Sequence, residues 1–275
     1  PLPIVGRRRV RGVGLSARSG HGVFPRRPRV YGMLRRRGNR RAVLRFPQRM
    51  GDCAPATHTR SKKQVTRESI IETTGVVAVV RLEDLTAAVD VTRALLAGGV
   101  TAIEFTFTNP KAGQAIEAAR AFAGDAAYIG AGTVLDPETA RIAILSGAEY
   151  IVTPTTKPAT IEMCRRYSVP TLIGAFTATE MLTAWEAGAS FIKVHPASLG
   201  GPKYFKDILA PLPQLKLVPS GGVTFENIGE FIKNGARAVA MGGNLVDAKT
   251  VASGGWDTIT ARAANAIQLV GQARS

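Results

Sequence analysis

From Glu72 onward the chain alternates eight short apolar runs with stretches of helical periodicity, and no other property of the sequence restricts the fold as strongly. The runs are 76–80, 102–107, 127–130, 150–153, 171–174, 191–194, 215–218 and 238–241. A strand buried on both faces reads as a continuous apolar run, and parallel strands need a crossover helix to return the chain. Eight such units in roughly 205 residues predict a closed (β/α)8 barrel rather than an open sheet. Asn109-Pro110 and Asp136-Pro137 each offer a capping side chain before a proline at the first helical position. A weak repeat supports the scheme. Gly99-Val100, Gly147-Ala148, Gly188-Ala189 and Gly235-Ala236 each precede an even-numbered run, where a glycine would end the preceding helix.

Charge divides the chain at about residue 60. Residues 1–60 hold 16 arginines, no lysine and one acid, Asp52, and so carry +15 of the formal +16. They are also rich in Gly and Pro with no sustained period, so this segment is expected to be disordered. Three readings of it stand: a targeting segment, a basic arm for RNA or another polyanion, or translation upstream of a natural start at Met33 or Met50. Residues 61–275 form the expected single barrel domain and are nearly neutral, which makes nucleic acid an unexpected partner for it. Two cysteines, Cys53 and Cys164, give neither a disulfide framework nor metal-ligand spacing. No apolar stretch is long enough to span a membrane. A reduced, cytoplasmic location fits this usage.

Barrel active sites gather where strands end at the C-terminal face. Alternation places Glu104, Thr106 and Thr108 on one face of the second strand and Phe105 and Phe107 on the other. On the sixth it groups Phe191, Lys193 and His195, with Ile192 and Val194 opposite. Glu104 and Lys193 are thus expected to point into the barrel, each offsetting part of the other's burial cost. A buried lysine can serve as a Schiff-base nucleophile, because desolvation frees its amine; it can also be a structural ion-pair partner. Glycine turns follow strand three (130–133), strand seven (Ser220-Gly221-Gly222) and strand eight (Gly242-Gly243-Asn244). The last two lie where this architecture binds phosphate. Arg81, after strand one, offers a planar fork for a carboxylate or phosphate. Pro154, after strand four, is a further substrate-contact candidate. His195 is either a tuning or substrate group or a satisfied structural one, and Cys164 reads as packing.

Val77-Ala78-Val79-Val80-Arg81, Gly98-Gly99-Val100, Ile103-Glu104-Phe105-Thr106, Gly130-Ala131-Gly132-Thr133-Val134, Phe191-Ile192-Lys193, Pro219-Ser220-Gly221-Gly222 and Gly242-Gly243 follow one another in the order of a known family. From about Ile70 to the C-terminus the chain resembles the 2-keto-3-deoxy-6-phosphogluconate (KDPG) and 4-hydroxy-2-oxoglutarate (KHG) aldolases, together with the 2-keto-3-deoxy-6-phosphogalactonate aldolases. The resemblance implies a metal-free, cofactor-free class I aldolase and a homotrimer of barrels. It matches Lys193 to the Schiff-base lysine, Glu104 to the acid/base glutamate and Thr133 to a threonine that holds the pyruvyl carboxylate. By the same match Ser220, Gly221, Gly222, Gly243 and Asn244 form the phosphate loops, and Arg81 takes a substrate anion. The chain departs from the pattern at Thr108, where several relatives carry arginine, at Asn244, where serine is frequent, and at His195, where phenylalanine is common. The implied reaction cleaves a 2-keto-3-deoxy-6-phospho sugar acid to pyruvate and glyceraldehyde 3-phosphate. Two rivals from other classes are a phosphate-binding barrel epimerase or synthase without a Schiff base, and a non-catalytic protein that uses the basic leader on nucleic acid.

Overall fold

The structure is a computed structural model that describes residues 67–275; the basic leader, with Cys53, lies outside the described residues. A first helix, α1 (Arg67–Thr74), leads into eight parallel strands: β1 (Val76–Val80), β2 (Ala102–Thr106), β3 (Tyr128–Gly132), β4 (Tyr150–Val152), β5 (Thr171–Ala175), β6 (Phe191–Val194), β7 (Leu217–Pro219) and β8 (Val239–Met241). Between them run α2 (Ala88–Ala97), α3 (Ala112–Ala123), α4 (Pro137–Leu145), α5 (Pro158–Arg166), α6 (Ala178–Glu186), α7 (Ala197–Leu209) and α8 (Ile228–Lys233), with α9 (Ala248–Ala252) and α10 (Trp256–Arg274) after β8. From β1 to β7 each strand pairs with its neighbours in chain order, and β8 pairs with β1. The expected (β/α)8 barrel is therefore present. Among the described residues no helix is long and apolar enough to cross a membrane.

The ring is fastened unevenly. Five register pairs join β2 to β3, whereas the seam between β7 and β8 is closed by the single bridge Ser220↔Ala240 and the hydrogen bond from Arg237 N to Leu217 O, 2.9 Å.

Strand alternation sorts the core into two layers. Val77, Val79, Tyr128, Tyr150, Leu172, Phe191 and Val218 fill the barrel interior, with Ile71 of α1 closing its lower end. Phe105, Ile192 and Val194 belong to the larger layer between strands and helices, as their parity requires. Glycine makes room inside the barrel. A Cβ on Gly130 would stand 2.5 Å from the Tyr150 ring, and one on Gly132 would stand 2.6 Å from Glu104 Oε1. A Cβ on Gly174 would overlap the backbone of Pro154.

The four repeated glycines do end helices: Gly99, Gly147, Gly188 and Gly235 have φ of 88°, 95°, 98° and 99°. After each, the next amide reaches five residues back, as Val100 N does to Leu95 O, which is the Schellman closure a left-handed residue permits.

Of three local expectations, two need correction and one holds. Asn109 is not the cap of α3, whose helical geometry starts at Ala112; its Oδ1 accepts from Lys111 N in the turn before the helix, while its side-chain nitrogen donates to Leu82 O and Glu83 O and ties two loops together. Asp136 does cap α4, accepting from Thr139 N at 2.6 Å. The glycines expected in a turn after strand three lie within β3, because they clear space for Tyr150 and Glu104 rather than bending the chain.

Candidate active site

Glu104 and Lys193 occupy the interior positions of β2 and β6 and are 1% and 3% exposed. Both Glu104 carboxylate oxygens are buried without a hydrogen-bond partner among the described residues. The two side chains feel each other's charge, yet they form no direct ion pair among those described. Burial pushes the Glu104 carboxyl above its ordinary range, and the positive charges of Lys193 and Arg81 oppose that rise. Burial likewise pulls the Lys193 amine down; Glu104 opposes the fall and Arg81 adds to it. A buried lysine so placed gives up its proton more readily than an exposed one.

Below the pair, Tyr150 stacks on Tyr128 with ring centroids 4.8 Å apart. Its ring crosses Gly130, the residue in register with Glu104. The Tyr150 hydroxyl is buried without a partner among the described residues, and burial followed by the Glu104 charge drives its pKa well up.

Above the pair, the turns after β7 and β8 line a cavity of about 330 Å³ with Arg81 and His195. Ser220, Gly221, Gly222, Gly243 and Asn244 all face it. Gly221 and Gly222 have φ of 80° and 86°, so that the chain reverses within two residues. The amides of Gly221, Gly222, Gly243 and Asn244 donate to no other described group, which leaves four N–H groups at one end of the cavity. Such clusters of unspent amides suit an anion. The side chain of Asn244 is committed elsewhere, since its amide donates to Val223 O at 2.9 Å and links the two turns.

Thr133, just past β3, holds φ at 56°, a rare setting for a β-branched residue. Its hydroxyl lies 3.5 Å from Arg81 Nη2, joining the β3 end to the cavity. Pro154 is half-buried past β4, its backbone against Gly174, which is in register with Lys193. Thr108 is exposed and lies 2.9 Å from the Thr106 hydroxyl.

Three supporting residues were not assigned these roles from the sequence. Gly132 leaves the space Glu104 fills, Tyr150 forms the floor, and Asn109 holds the Arg81 loop. By sequence alone Gly132 reads as part of a turn and Asn109 as a helix cap. Cys164 is buried packing, as expected, and burial pushes its thiol up to about 12.

A family model described as KDPG and KHG aldolase matches residues 67–262. A 2-dehydro-3-deoxy-phosphogluconate aldolase of Treponema pallidum is 36% identical over 203 residues, 73% of this chain and 96% of that protein. A 2-dehydro-3-deoxy-6-phosphogalactonate aldolase of Escherichia coli is 38% identical over 153 residues, covering 55% of this chain and 75% of its own. Among solved structures, a KDPG aldolase of Legionella pneumophila with pyruvate captured as a covalent carbinolamine superposes with a TM-score of 0.68 at 25% identity, over 72% of this chain and 97% of that one. The chain belongs to the KDPG and KHG aldolase family.

Proposed function

We propose that the chain is a class I aldolase that cleaves a 2-keto-3-deoxy-6-phospho sugar acid to pyruvate and glyceraldehyde 3-phosphate. One observation carries this reading: a buried lysine and a buried carboxyl share the barrel interior without an ion-pair contact among the described residues, the carboxyl with no hydrogen-bond partner there, beneath a cluster of unspent amides. A structural ion pair would bring the two groups into contact, whereas a reacting pair needs a substrate carbon between them. The covalent pyruvate of the Legionella relative supports a covalent route.

In the proposed reaction the neutral amine of Lys193 adds to the C2 ketone to give a carbinolamine, and loss of water leaves an iminium. Glu104, through a water, takes the proton of the C4 hydroxyl as the C3–C4 bond breaks, and the bonding pair flows into the iminium to form an enamine. The aldehyde product departs. A proton returned to C3 and hydrolysis of the iminium then release pyruvate and restore the amine. Thr133 and Pro154, at the ends of β3 and β4, would orient the carboxylate end of the substrate. Arg81 and the amides of Gly221, Gly222, Gly243 and Asn244, with Ser220 lining the same cavity, would hold the phosphate. We further propose a cytoplasmic homotrimer, supported by the exposed apolar side chains of Leu135, Ile142 and Leu145 on and beside α4. Light scattering should then give three times the 29.1 kDa chain mass.

Borohydride added with pyruvate should fix a reduced pyruvyl group on the peptide that contains Lys193, and active protein without the adduct would end the reading. Pyruvate release should be compared across the gluconate epimer, the galactonate epimer and 4-hydroxy-2-oxoglutarate. The 38% identity to a 2-dehydro-3-deoxy-6-phosphogalactonate aldolase gives that epimer a stated place in the comparison.

A further inference from the structure

His195 stands at the junction between the reacting pair and the amide cluster. It has the interior parity of Lys193, two residues further toward the barrel mouth, and lines the cavity with Arg81 and the β7 and β8 turns. Two residues of strand advance the side chain by about 7 Å, so the imidazole lies along the path between a carbon bound to Lys193 and a phosphate held at the turns.

Its orientation is fixed on one side. Nδ1 lies 3.2 Å from Ser220 O, and a Cβ on Gly221 would stand 3.1 Å from that nitrogen, so the ring rests on a position that glycine leaves open. The same carbonyl accepts from Ala197 N at 2.9 Å. A carbonyl oxygen has no proton to give, so Nδ1 must carry one. In the neutral ring Nε2 is then the bare nitrogen, an acceptor. Burial first, and then the Lys193 charge, lower the imidazole's pKa from its ordinary value; the Ser220 carbonyl opposes the fall and Arg81 adds to it.

We propose that His195 Nε2 accepts a hydrogen bond from the C5 hydroxyl of the substrate and is thereby a specificity-determining residue. The assignment rests on the aldolase reading and deepens it. In that reading Glu104 serves the C4 hydroxyl and the turns serve the C6 phosphate, so the C5 hydroxyl is the polar group between them without a partner. The surrounding cavity offers it donors in abundance, in Arg81 and the turn amides. An acceptor beside them tells a carbon that bears a hydroxyl from one that does not. A neutral acceptor does so without repelling the neighbouring phosphate, as a carboxylate would.

The test runs in the condensation direction on the full chain, with pyruvate as donor. Glyceraldehyde 3-phosphate brings the hydroxyl that becomes the C5 hydroxyl, and 3-oxopropyl phosphate lacks it. The wild type should favour the hydroxylated acceptor in kcat/KM. His195→Phe should lower that preference about three- to tenfold, the range of one lost hydrogen bond. His195→Gln, whose amide oxygen reaches the Nε2 position, should retain most of it. A His195→Phe preference equal to that of the wild type would overturn the assignment, and so would a wild type indifferent to the hydroxyl. Borohydride trapping in the same preparations separates the two levels. A Lys193 adduct with an unmoved preference removes only the role of His195, whereas no adduct in the wild type removes the aldolase reading and the role with it.

Discussion

At the scale of single residues, the site depends on what Gly132 lacks. A methyl there would meet the end of the Glu104 side chain, which can swing aside, rather than backbone, which cannot. Gly132→Ala should therefore fold with a melting temperature near that of the wild type while kcat for retro-aldol cleavage falls about 100-fold, the order expected of a small misplacement. Gly174→Ala provides the contrast, because its added carbon meets the Pro154 backbone and stability is lost instead. Charge coupling within the pair gives a second expectation. The carboxylate of Glu104 holds the proton on Lys193, so Glu104→Gln should let the amine deprotonate at lower pH. The acid limb of borohydride trapping with pyruvate should shift to lower pH, even as kcat for cleavage drops about 100-fold or more through loss of the proposed acid/base group. A limb that moves to higher pH would contradict the coupling.

At the scale of elements, much of the architecture was legible. Eight apolar runs gave eight strands, and four repeated glycines gave four Schellman closures. What escaped was decided by side chains from distant positions. Asn109-Pro110 has the local signature of a cap, and Asn109 Oδ1 does accept from Lys111 N at 2.8 Å, but the helix starts only at Ala112 and the side-chain amide nitrogen is spent on two carbonyls of the β1–α2 loop. The glycines of β3 read as a turn because local sequence does not reveal that Tyr150 and Glu104 fill the space over them. The pairing of Lys193 with Glu104 was legible from parity alone, whereas the Nδ1 contact that orients His195 required the β7 turn in place. Asp247 shows an element cap that also reaches across the fold. It accepts from Thr250 N and Thr250 Oγ1 at the start of α9 and from Arg262 Nη1 of α10 at 2.7 Å. The Thr250 hydroxyl first, then the Thr250 amide and Arg262, hold its carboxyl well below the usual range. Asp247→Ala should cost about 1–2 kcal/mol in urea unfolding at neutral pH. A group whose folded pKa is depressed stabilises the fold above its unfolded pKa and ceases to do so as pH falls through the folded value. The difference between variant and wild type should accordingly shrink below about pH 4.

At the scale of the whole molecule, the barrel is a ring with one loosely fastened joint, the seam between β7 and β8. Sequence could count the strands but not weigh their junctions, because bridge number depends on how far each short strand overlaps its neighbour. Amide exchange should register the imbalance, with Arg237 and Ala240 opening more readily than the β2–β3 ladder. The two turns with unspent amides leave the ring on either side of that joint, tied to each other by Asn244 and Val223. A phosphate held there, as proposed, would be gripped from both sides and act as a removable rivet, so that occupancy would become part of the mechanical closure of the ring. By mass action the melting temperature should climb with inorganic phosphate, and exchange at the joint should slow before any change is seen on the opposite wall. Emptied of product, the enzyme would be at its loosest where the next phosphate must enter.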